Sequence, residues 1–342
     1  MAFREMAGLL LVALTSPVAA QQPKIEVQSS GTKARLQAVS AVDDRVVWAS
    51  GTGGTVVRTV DGGKTWRATV VPGADSLEFR DVHGFDAGHV VLLASGPGSK
   101  SRLYRTEDGG GTWALIWTNP DPKGFFDCID FVGPFGVVVG DATGDRFPLM
   151  ATTNGGKSWA PYTPPGWETI PAQEGEGAFA ASGTCLVLTP DRAAWVGTAK
   201  GGRVIRFGRD RAEVWVPPII RDAPGAGIST LAVRPGNVMV AGGGDLARSG
   251  EFTDNVVVSR DGGQHWSLGG RPPFTGSIYG MAFVPSRPGT LVAVSPKGAA
   301  WSSDDGGTWS KLDGGDYWGI AFTKNGTGWI AGPAGAIVRV TF

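Results

Sequence analysis

An excess of charge of either sign is missing from this chain. Lysine plus arginine and aspartate plus glutamate number 31 each in 342 residues, so no basic surplus exists to neutralise a nucleic-acid backbone or an anionic membrane surface. Both partner classes are therefore set aside. Histidine is scarce as well: His83, His89 and His265 form no metal-ligand spacing, and neither a metal nor another cofactor is expected. No Ser-His-Asp grouping or nucleotide fingerprint occurs, and Gly242-Gly243-Gly244 lies in a strand connection without the following helix a phosphate loop needs.

Long apolar runs are lacking too. Leu9 to Leu14, preceded by Arg4 and followed by Val18-Ala19-Ala20, is too short for a membrane span and has the layout of a secretory signal peptide over residues 1–20, cleaved near Ala20. No cysteine follows the cleavage point, so lipidation there is not expected. The mature chain, 21–342, is expected to be a soluble monomer, periplasmic or secreted and not membrane-spanning.

What the chain does have is glycine, 54 residues, tryptophan, 13 residues, and a repeat. Five copies of one pattern place a Trp five residues after an Asp or Asn, with Gly in the turn between: Asp61 to Trp66, Asp108 to Trp113, Asn154 to Trp159, Asp261 to Trp266 and Asp304 to Trp309. The Trp recurs at intervals of 47, 46, 107 and 43 residues. A worn copy, Arg206-Phe207-Gly208-Arg209-Asp210 with Val214-Trp215, divides the double gap. A period near 45 filled by short apolar runs suits the four-stranded blades of a β-propeller.

A second repeat, out of phase with the first, occurs seven times and starts at Leu36, Phe79, Phe126, Gly183, Ile228, Ile278 and Tyr317. Each instance is assigned to the innermost strand of a blade. Seven inner strands against six turn positions leave the last blade one strand short. Lys24 to Gln28 is the natural donor, closing the ring and leaving no open edge across the join. One all-β, seven-bladed domain of four-stranded antiparallel blades is expected over 21–342.

Within each turn the Asp can accept backbone N–H bonds, the Gly can take positive φ, and the Trp can cover the neighbouring blade. Asn154 keeps the acceptor without the charge. That is a folding device, and the spacing lacks the alternating ligands and terminal Glu of an EF-hand. The pattern resembles the Asp-box, or bacterial neuraminidase repeat. In the form Arg-Thr-x-Asp-Gly-Gly-x-Thr-Trp, at Arg58 to Trp66 and, with Glu107 and Gly111 as variable positions, Arg105 to Trp113, it is similar to propellers of the photosystem II stability/assembly factor type and their exported bacterial relatives. The resemblance covers essentially the whole mature chain and implies a protein-binding assembly or stability factor. Sialidases share the box, but their Arg-Ile-Pro motif is absent, and only Tyr104, Tyr162, Tyr279 and Tyr317 are available for a Tyr/Glu nucleophile pair.

The boxed turns fall on one face of the disc, so a site belongs on the other, where loops vary without disturbing the blades. Candidate ligand-binding residues there are Arg80, Asp127, Asp130, Asp141, Arg146, Glu176, Tyr279 and Trp318, with Glu174 beside them. They suit a peptide segment of another exported or membrane protein, or a glycan. Alternatively, Asp127 with Glu176, or Asp141 with Glu174, would serve as the acid–base pair of a glycoside hydrolase, needing a separation of about 5 to 9.5 Å. A plain structural reading stands beside both: an Arg80–Asp127 salt bridge and solvated loop glutamates. Cys128 and Cys185 occupy matching places on adjacent inner strands. Those strands are not hydrogen-bonded partners, so two buried thiols are expected, with a disulfide as the alternative that export permits.

Overall fold

Seven four-stranded antiparallel sheets make up the computed structural model, which describes residues 22–248, 250–252 and 254–342. The expected signal peptide and its cleavage site lie outside the described residues. The inner strands are Leu36–Ala41, Phe79–Gly84, Phe126–Val132, Leu186–Leu188, Ala226–Arg234, Gly280–Phe283 and Gly319–Phe322. In each blade the second strand is buried throughout, as in Val90–Ala94 and Leu291–Ser295. Neighbouring sheets cover both of its faces, which is why these segments are near-continuous runs of Val, Leu and Ala rather than alternating patterns. Outer strands such as Arg67–Val70 are mostly exposed at the circumference.

The ring closes as expected. Lys24–Ser29 pairs antiparallel with Ala336–Thr341, from Lys24 opposite Thr341 to Ser29 opposite Ala336, and completes the last blade. No helix among the described residues is long and apolar enough to cross a membrane.

The five regular turns share one hydrogen-bond plan. In the first, the Asp61 carboxylate accepts from the Thr65 N–H at 2.9 Å and the Thr65 hydroxyl at 2.6 Å, while Thr59 Oγ1 donates to it and accepts from the Gly63 N–H. Gly62 and Gly63 hold φ of 77° and 85°, which side chains disfavour. The Thr65 hydroxyl, ahead of its N–H, draws Asp61 down to about 2. In the third turn Asn154 reverses one bond, its Nδ2 donating to Ser158 Oγ at 2.9 Å. The Trp then reaches the preceding blade: Trp66 Nε1 donates to Gln28 of the closing strand, and Trp113 packs in one cluster with Trp48.

Blade four departs from the plan. Its turn is tight, Gly208 N–H donating to Arg211 O, and Trp215 stacks on Trp195 of its own blade, 5.5 Å between centroids. The worn copy marks the right turn, but its Trp does a different job.

Cys128 and Cys185 are joined in a disulfide, their Cα atoms 6.0 Å apart. The expectation of two free thiols is corrected. Inner strands converge on the axis, so residues of adjacent blades that share no ladder still come within bridging distance.

Candidate functional site at the loop face

A β-bulge lies near the start of four inner strands, and it builds the site. Register shifts between Leu36 and Ala38, Phe79 and Asp81, Phe126 and Cys128, and Ile228 and Thr230 leave Gln37, Arg80, Asp127 and Ser229 as the extra residues. A bulge re-aims its side chain and locally ends the pairing. Beside three of these bulges the second strand carries a glycine against the backbone at the inner strand's start: a Cβ on Gly51, Gly140 or Gly243 would meet Arg35 O, Phe125 O or Gly227 O at 2.0, 2.3 or 1.8 Å. This close approach leaves no room for a side chain at these positions.

Around the mouth runs a connected polar and aromatic arc. Arg35 lies over the Trp318 ring at 4.6 Å, and Trp318 meets Tyr279 edge-on at 4.9 Å. Arg35 also faces Glu78 at 3.5 Å, and Glu78 accepts two bonds from Arg80, at 3.0 and 2.8 Å. Arg80 in turn donates to Ala180 O at 3.3 Å. The expected Arg80–Asp127 salt bridge is thus corrected: Arg80 takes Glu78. Glu78 and Arg35 were not among the sequence candidates, although each immediately precedes an inner strand, the same place in two consecutive blades.

Asp127 and Asp141 meet at the inner end of this arc. Burial, followed by the neighbouring Asp141 charge, pushes Asp127 well above the usual carboxylate range, and burial raises Asp141 to about 6. Asp141 Oδ1 also accepts the Ala178 N–H at 3.0 Å. Two adjacent carboxyl groups in such a place hold a proton between them rather than two charges.

The remaining candidates lie elsewhere or are already committed. Glu176 is fully buried, with Arg203, Thr198 and the Gln173 N–H as partners; Arg203, which the sequence reading missed, makes it a structural ion pair. Glu174 is exposed, and it is its backbone O that accepts from Lys200. Arg146 lies over Trp167 at 5.2 Å and beside Asp145 on the rim. Asp130 points towards the opposite end of the channel and ties blade three to blade four through the Leu188 N–H at 2.7 Å. Neither acid–base pair is assembled: Asp127 and Asp141 act on each other, Asp141 also accepts from the Ala178 N–H, and Glu176 is taken by Arg203.

A strap between blades three and four, residues 162–185, caps this end of the channel. Its Ser182 hydroxyl donates to Tyr279 O of blade six at 2.6 Å, and Ala180 O receives Arg80 of blade two. The disulfide fastens the strap's far end to blade three.

Comparison with known proteins adds the fold. YCF48 bound to D1 peptide superposes with a TM-score of 0.66 at 19% identity, covering 93% of this chain and 97% of that one. The chain has the propeller fold. YCF48 from Cyanidioschyzon merolae gives 0.64 at 16% identity over 93% and 98%, and a streptogramin B lyase 0.67 at 12% over 94% and 98%. No family model matches the sequence, and no curated protein does.

Proposed function

We propose that this chain is an exported, non-enzymatic propeller that binds a segment of another exported or membrane protein at the loop face and supports that protein's assembly or stability. The observation that carries this reading is the arc Trp318–Arg35–Glu78–Arg80 beside Tyr279: stacked aromatic and guanidinium groups on rigid strand ends, with no free acid–base pair among them. Such surfaces suit peptide recognition. A similar propeller, YCF48, is known bound to D1 peptide, which supports the class of partner. Export rests on residues 1–20 and is supported by the disulfide, which persists in oxidising compartments. The repeated turns are read as Asp-boxes, in keeping with their shared bonding plan.

Hydrolysis is disfavoured on geometry. Asp127 and Asp141 are buried and their charges act on each other, and Glu176 is occupied by Arg203, so neither pair is free for the separated acid and base of a glycosidase. Affinity capture from the host envelope should retain a specific protein on the native chain and on His265→Thr. Arg35→Ala with Trp318→Ala should reduce capture at least about tenfold, as loss of central interface anchors does. Equal capture by all three, or turnover of a glycan panel abolished by Asp127→Asn, would contradict the reading.

A further inference from the structure

The strap closes the central channel at the loop face, and what remains beneath it is a chamber of about 390 Å³ reached from the face of the repeated turns. All seven blades contribute to its wall, and Ser182, Gly183 and Thr184 of the strap form its floor. Gly183 is required there: its φ is +79°, and a Cβ would lie 2.2 Å from the Asp81 carboxyl. The volume falls within the range of small-molecule sites, about 300 to 1,000 Å³.

The wall is chemically two-sided. Blades two and three present Asp81 and Asp130, while blades six and seven present Met281, Phe283 and Phe322. Both carboxylates are fixed by backbone donors from their own and the next inner strand: Asp81 by the Val82 and Ile129 N–H groups at 2.8 and 2.7 Å, Asp130 by those of Phe131 and Leu188, both at 2.7 Å. Each oxygen keeps a lone pair for a further donor. No cation in the wall meets that need. Arg234, at the mouth, is held bidentately by Asp305 at 2.7 and 2.9 Å. His83, packed against Phe85 and Phe131, has its Nδ1 3.8 Å from Asp130 Oδ1, beyond hydrogen-bond reach, and burial lowers it to about 4, so it stays neutral and supplies no counter-charge. Burial without a counter-charge accordingly holds Asp81 well above the usual carboxylate range and Asp130 at about 6.

We propose that this chamber binds a small primary ammonium compound with an apolar or aromatic body, the ammonium donating to Asp81 and Asp130 and the body lying against Phe283 and Phe322. A rigid acidic wall without a counter-ion, facing an aromatic wall in a closed-ended cavity, is complementary to such a ligand. The site is independent of the loop-face arc.

Titration calorimetry of the full mature chain with 2-phenylethylammonium tests it. Saturable one-to-one binding is expected, with 2-phenylethanol, which lacks the charge, at least about tenfold weaker. Asp130→Asn should weaken binding by a similar factor. Ala282→Trp, which puts a bulky ring on the blade-six wall, should abolish it in a protein of native circular dichroism. Absence of saturable binding, equal affinity for the alcohol, or retained binding in folded Ala282→Trp would overturn the proposal.

Discussion

Aspartate does two opposite jobs in this molecule, and single residues show both. Asp61, Asp108 and Asp261 are held near 2 by hydrogen bonds to Thr65, Thr112 and His265. Their folded values lie below the ordinary 3.8, so their contribution is present above about pH 4 and is lost as pH falls towards 2. Asp130 and Asp141, raised by burial to about 6, act in the other sense: their contribution is present below about pH 4 and is gone once pH passes 6. Stability is therefore expected to peak between about pH 4 and 5. Asp141→Asn keeps the oxygen that accepts from Ala178 and supplies an amide donor towards Asp127 in place of a titrating proton. Calorimetry should show its Tm raised by a few degrees at pH 7.5 and nearly unchanged at pH 4. A variant less stable at pH 7.5 would refute the shared-proton account of the pair.

At the level of elements, the closing strand and the strap decide what the disc can do. Lys24–Ser29 supplies six residues of pairing to Ala336–Thr341, and without it that strand becomes an open edge able to pair with another copy. A chain beginning at residue 30 should unfold at a temperature lower by roughly 10 °C, as a loss of several kcal/mol implies. It should also associate in a concentration-dependent way by light scattering. Unchanged melting and a clean monomer would show that the ring does not depend on this strand. The disulfide closes a loop of 57 residues, worth about 4 kcal/mol by chain-entropy arithmetic, and it anchors the strap whose Ala180 and Ser182 seal the channel.

For the whole molecule, the sequence carried the architecture because one blade is one period. The Asp-to-Trp turns and the offset apolar runs located the blades, and counting strands placed Lys24–Gln28 in the last one. The site was only partly legible. Arg80, Asp127, Asp141, Tyr279 and Trp318 do gather at the loop face, because all but Asp141 lie within a residue of the start of an inner strand and therefore sit around one mouth. Glu176 was misassigned because nothing in the order of residues reveals that Arg203, 27 positions on, fills its pocket. The Cys128–Cys185 bridge was missed for a related reason: ladder partners can be inferred from strand order, but convergence of strands on an axis cannot.

The central claim is that partners meet the loop face and that the face of repeated turns is not the docking face. Replacing Glu174, exposed on the loop-face rim, or His265, exposed in a repeated turn, by a photoreactive benzophenone amino acid tests this in the living host. Irradiation should yield a specific cross-linked envelope protein from position 174 and none from position 265. A cross-link from position 265 alone, or equally from both, would contradict the account.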